Sequence, residues 1–155
     1  MNFTHEDLIA IGHQLQKGFF QVSGDELTFE TGYVPTKAEM DAALLAYKKK
    51  IKTAEIDDKF EAIRQEYLSS GATMSMVYKL KSEQAKAYKL DPNGTYAMLQ
   101  ASVTAGEATG LNEAADIILA KEAALIQIAS QLEAARLAKK IAVGNATTLE
   151  GLDAI

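Results

Sequence analysis

Residues 112–144 read NEAADIILAKEAALIQIASQLEAARLAKKIAVG, and this stretch decides the fold. It contains no proline, and its one glycine, Gly144, is the last residue. Alanine, leucine, glutamate and lysine dominate, and all are good helix formers. As one helix it extends roughly 50 Å at 1.5 Å per residue. Asn112 stands where an N-cap belongs. Glu113 and Asp116 suit the positive end of the helix dipole, and Lys139 and Lys140 the negative end. Ala114, Ile118, Lys121, Leu125, Ile128, Leu132 and Ala135 recur in alternating steps of four and three, the spacing of a coiled-coil seam. Lys121 is polar on this seam; it either snorkels or sets register at a polar layer. Ile117, Leu119, Ile126, Leu137 and Ile141 lie off the seam, so a second face is partly apolar and requires a second neighbour.

The antiparallel partner is expected at residues 36–69. Thr36 and Glu39 form a capping box. Met40, Leu44, Tyr47, Ile51 and Ala54 make one apolar stripe, and Ile56, Phe60, Ile63 and Tyr67 a second. The step of five between Ile51 and Ile56 predicts one helix, bent or re-registered near Thr53, ending at Ser69-Ser70-Gly71. Residues 74–89 are ambiguous. Met74, Met76, Tyr78 and Leu80 alternate like a strand, but the helix formers from Lys81 to Lys86 favour a helix. Asp91-Pro92-Asn93-Gly94 is a turn. Thr95 is placed to cap a short helix to about Ala105. Thr147 or Thr148 is placed to cap a last helix holding Leu149 and Leu152.

Residues 1–34 differ in character. Thr4, followed by Asp7, caps a helix over about 5–17, with Gly18 as its stop. Phe19 to Thr31 reads as a β-hairpin around Ser23-Gly24-Asp25. Two strands alone are marginal in water, so the hairpin must lean on a neighbour. The expected class is therefore mainly α: a long antiparallel helical hairpin with shorter packed helices and a small N-terminal β-hairpin. The expected division is a docking segment, 1–34, and a helical domain, 35–155.

Composition narrows function. The net charge is −5, and no basic block is interleaved with aromatics, which argues against nucleic acid as a partner. The absence of cysteine removes thiol chemistry. The first residues lack the basic flank and apolar core of a signal peptide, and no apolar run is long enough to span a membrane. His5 and His13 are too far apart on a helix to share a metal. Asp57, Asp58 and Glu61 lie on the polar side of a helix, without the desolvated cleft that acid–base catalysis needs. Lys48, Lys49, Lys50 and Lys52 form the one basic cluster, read as a solvated helix face. No catalytic, metal or cofactor site is expected, so a binding or structural protein is favoured over an enzyme. Candidate docking or oligomer contacts are Phe19, Phe20, Val22, Leu27 and Phe29 on the hairpin, and Ile118, Leu125, Ile128 and Leu132 on the seam.

Several segments carry a family resemblance: Ala54-Glu55-Ile56-Asp57 after a lysine-rich run, VYKLKSEQAKAY at 77–88, the DPNG turn, residues 114–140, and ATTLEGLDAI at 146–155. Together they resemble small proteins encoded beside tail-fibre genes in tailed bacteriophages and prophages. The resemblance runs from residue 36 onward, leaves residues 1–34 outside it, and transfers no functional residue, because its motif is architectural. It implies a structural component of the tail at the fibre or baseplate, made in the host cytoplasm and carried in the virion. The alternative it implies is a tail-fibre assembly chaperone that is not retained. Its suggested symmetry is a trimer.

Overall fold

Capped amphipathic stretches and one alternating hairpin account for the elements in order. In the computed structural model, residues 3–67 and 72–155 are described. They form α1 (His5–Leu15), β1 (Phe20–Ser23), β2 (Glu26–Phe29), α2 (Lys37–Tyr67), α3 (Ala72–Leu90), α4 (Ala97–Thr104), α5 (Leu111–Asn145) and α6 (Leu149–Asp153). The mainly α architecture with an antiparallel N-terminal hairpin is as expected. The chain forms two compact units, one of residues 1–58 with 136–155 and one of residues 59–135.

In the first unit, Thr4 and Asp7 form a reciprocal capping box that starts α1. The helix ends earlier than expected. Gln16 is the C-cap, left-handed with φ +51°, and Gly18, with φ +103°, lies two residues beyond it. The hairpin follows. Gly24 has φ +60° at the first position of the two-residue turn, as a type II′ connection requires. The register pairs Phe20 with Phe29 and Val22 with Leu27, so all four side chains share one face. That face meets Leu8 and Ile11 of α1 and Ala43 and Leu44 of α2 in one apolar cluster. Leu149, at the start of α6, packs on the same cluster. Thr148 caps α6, its hydroxyl accepting from the Gly151 amide.

The start of α2 is fixed by Glu39. Its carboxylate accepts from the Thr36 amide at 2.8 Å and from the Tyr33 hydroxyl at 2.7 Å. The lysine cluster does not form a merely solvated face. Lys48 pairs with Asp7 at 3.4 Å, Lys49 donates to the Gly144 carbonyl at 2.7 Å, and Lys50 donates to Gln14 at 3.1 Å. These lysines tie α2 to α1 and to the end of α5. Lys49–Gly144 and Asp57–Arg136 run in opposite senses along the two chains, so α2 and α5 are antiparallel here.

α2 does not break at Thr53. The register slip appears in burial instead. Leu44 and Ile56 are buried, while Ile51 and Ala54 between them are exposed. With no glycine or proline near Thr53, giving up one apolar contact costs less than breaking the hydrogen-bond ladder. The expected stop at residues 69–71 lies outside the described residues.

In the second unit, α3 is a helix throughout, which resolves the ambiguity at 74–89. Ala85 of α3, Leu99 of α4, Ala108, and Ala114 and Ala115 of α5 form the core, with Tyr88, Tyr96, Ile117, Ile118 and Leu119 against it. Two N-caps differ from expectation. Tyr96, not Thr95, precedes α4 and gives no side-chain cap. The Met98 amide is satisfied instead by Gln84 of α3, at 2.8 Å. Asn112 lies inside α5, where it accepts from Lys89 at 2.8 Å and donates to Asp116 at 3.2 Å. The Ala114 amide bonds the Gly110 carbonyl, and Glu113 reaches back to the Thr109 amide at 2.7 Å.

Candidate interaction surfaces

The hairpin residues divide by burial. Leu27 is 9% exposed and Phe29 5%, and Phe20 and Val22 are partly buried against the same cluster. Their side chains are committed within the chain. The Phe20 ring stacks edge-on against His13 with centroids 5.0 Å apart, and tilted against Phe29 at 5.8 Å. Phe19 is the exception, 81% exposed.

Beside the hairpin is an open groove of about 390 Å³. It is lined by Asp25 and β2, by Gly32, Tyr33, Val34 and Pro35, and by Phe3, Leu8 and Met40. Tyr33 is held by Glu39, whose carboxyl is lowered to about 2 first by the Tyr33 hydroxyl and then by Thr36. The same bond pushes the Tyr33 hydroxyl up from its ordinary value. Lys37 lies over the Phe3 ring and Lys17 over the Tyr33 ring, 5.8 Å and 5.3 Å from the centroids.

The seam on α5 is occupied unevenly. In the second unit Ala114 is buried and Ile118, Ile128 and Leu132 are half-buried, while Lys121 and Leu125 are exposed. Ile126 beside it is also exposed, at 57%. The first turns of α5 are covered by α3 and α4, which answers part of the expected need for a second neighbour. Lys86–Glu122 at 2.8 Å and Lys89–Asp116 at 2.6 Å fasten α3 along α5, and Arg64–Glu133 at 2.5 Å joins α2 to α5. In the first unit Leu137 and Ile141, one helical turn apart, are exposed. On the adjoining side Asp57 accepts from Arg136 at 2.5 Å and from Lys140 at 2.6 Å. These bonds, that from Lys140 foremost, hold the Asp57 carboxyl below its usual range. This acidic position, considered for acid–base chemistry, is a structural ion pair.

Among the described residues, no group of three His, Asp or Glu side chains is arranged to hold a metal ion. Among them, too, no helix is long and apolar enough to cross a membrane. Among the described residues, open apolar surface includes the groove beside β2, the uncovered positions of α5, and Met76, Tyr78 and Leu90 of α3. Periodicity pointed to α5; nothing in the sequence pointed to the groove, which is assembled from four separate segments. The sequence matches no protein-family model, and comparison with curated proteins and with solved structures gave no match.

Proposed function

We propose that this chain is a structural component of a bacteriophage tail that acts at the fibre or baseplate by protein–protein docking. The observation that carries the docking part is the set of large apolar side chains left uncovered on α5: Leu125 and Ile126 in one unit, Leu137 and Ile141 in the other. Exposed apolar side chains at helical spacing mark contact with a further protein more readily than they mark chemistry. The tail assignment is supported by the resemblance of residues 36–155 to proteins encoded beside tail-fibre genes. Under this reading the protein reaches the virion tail from the host cytoplasm, and self-association through the α5 seam, as a trimer, is one form the docking takes.

Mass spectrometry of purified virions tests the assignment. The chain is expected at a fixed ratio to the fibre or baseplate proteins. Its absence from mature particles, combined with a higher yield of soluble fibre on substoichiometric co-expression, replaces the structural role with that of an assembly chaperone.

A further inference from the structure

Hairpin register determines which backbone groups of β2 face outward. The Glu30 amide donates to the Phe19 carbonyl at 3.0 Å, so Phe19 and Glu30 are a hydrogen-bonded pair. In an antiparallel ladder such pairs alternate with non-bonded ones. Gln21–Thr28 and Ser23–Glu26 are then bonded, and Phe20–Phe29 and Val22–Leu27 are not. The amide and carbonyl of Leu27, and the amide of Phe29, therefore point away from β1. The Phe29 carbonyl accepts from the Gly32 amide at 2.9 Å. The three remaining groups belong to Leu27 and Phe29, both of which line the groove. Unpaired strand edges are templates for a further strand, and proteins usually blunt them with proline, lysine or a covering element. β2 carries neither proline nor lysine.

We infer that this groove is a strand-addition site: an extended segment of a partner protein, alternating apolar residues with lysine or arginine, pairs with β2 through the outward groups of Leu27 and Phe29. Its apolar side chains enter the groove over Phe3, Leu8 and Met40. Val34, 81% exposed and also lining the groove, offers them a further apolar contact. Its basic side chains fall on the outer face beside Glu26, Thr28 and Glu30, all exposed. The hairpin from Phe19 to Thr31 contains Asp25, Glu26 and Glu30 and no basic residue. The nearby lysines are engaged: Lys37 with Asp41 at 2.7 Å, and Lys17 on the Tyr33 ring.

Charge also argues against a second copy of this chain. A two-fold pairing of β2 with its own copy about Thr28 sets Glu26 opposite Glu30 twice, and like charges directly opposed across strands are destabilising. Strand addition draws affinity from main-chain hydrogen bonds and specificity from alternate side chains, which matches what the groove offers. The inference rests on docking as the mode of action and not on the tail assignment, because its test needs no virion.

The test uses the full chain and a synthetic, end-capped seven-residue peptide alternating lysine and valine. Binding is read by fluorescence anisotropy, and amide exchange is followed by NMR. Saturable binding that slows exchange at Leu27 and Phe29 is expected. N-methylating the peptide at its inward-donating positions should weaken binding roughly tenfold or more, since it removes the donors and keeps the side chains. The double variant Glu26→Lys with Glu30→Lys should lose the lysine peptide and gain a glutamate–valine peptide of the same length. Any of three peptide results overturns the inference: no change at Leu27 or Phe29 at millimolar peptide, equal binding of the N-methylated peptide, or equal binding by the charge-reversed variant. A dimer in sedimentation whose Leu27 amide is already protected before peptide is added overturns it in favour of a second copy.

Discussion

A methyl group placed on Gly12 would sit 2.5 Å from the Phe20 ring. Gly12 is in the interior of α1, where glycine normally weakens a helix. Here its missing side chain lets the hairpin aromatic lie against the helix backbone. Gly12→Ala is therefore expected to destabilise by about 1–3 kcal/mol despite the better helix propensity, because the ring must move out of a packed core. Urea denaturation measures this, and a stabilised variant would show that propensity outweighs contact. Gln16 presents the opposite case. It holds φ +51° with a side chain, a conformation that costs about 1–2 kcal/mol in L-residues. Gln16→Gly should gain part of that, up to about 1 kcal/mol, after the greater freedom of the unfolded glycine is offset. Glu39 gives a pH signature. Its folded pKa of about 2 lies below its ordinary 4.5. Its contribution is therefore complete above pH 4.5 and is lost as pH falls through about 2. Tyr33 is shifted upward, so its contribution is present below pH 10 and declines above it. The urea midpoint of Glu39→Gln should lack the wild type's added acid dependence between pH 4.5 and 2.

At the level of elements, what holds α2 against α5 in the first unit includes one carboxylate with two cations. Asp57→Asn removes the charge that Arg136 and Lys140 share and should lower the melting temperature. The loss should shrink as salt is raised, because these groups are partly exposed and screened. A loss independent of salt would point to packing. Helices and hairpin were readable because their apolar residues follow periods of 3.6 and 2, and because Thr4, Thr36 and Thr148 stand at the starts of α1, α2 and α6. Three features were not readable. Met74, Met76 and Tyr78 imitate a strand only because they stay exposed, so burial imposes no helical spacing on them. The cap of α4 comes from Gln84, fourteen residues away, and local sequence cannot show a donor's distant acceptor. The groove depends on which edge of β2 stays open, and that follows from ladder parity together with the path of residues 32–35.

For the molecule as a whole, the two units are built from different material. The first clusters Leu8, Ile11, Leu27, Phe29 and Leu44; the second clusters Leu99 among four alanines and buries Phe60 outside that cluster. Alanine removes far less apolar surface from water than leucine or phenylalanine, and stabilisation scales with that area. Amides around Leu99 should accordingly exchange faster under native conditions than those around Ile11 and Leu44. Equal protection would indicate a single cooperative structure. Leu99→Ala, at a fully buried position, should cost about 2–5 kcal/mol and accelerate exchange in the second unit first. The division of the chain also has a consequence in time. Residues 59–135 are contiguous, whereas the first unit joins residues 1–58 to 136–155. During synthesis the alanine-cored unit has every residue it needs while the unit with the hairpin still waits for Arg136, Lys140 and Leu149. Every residue that lines the groove beside β2 falls between Phe3 and Met40, yet the cluster to which Leu27 and Phe29 belong gains Leu149 only after the whole of the other unit has been made.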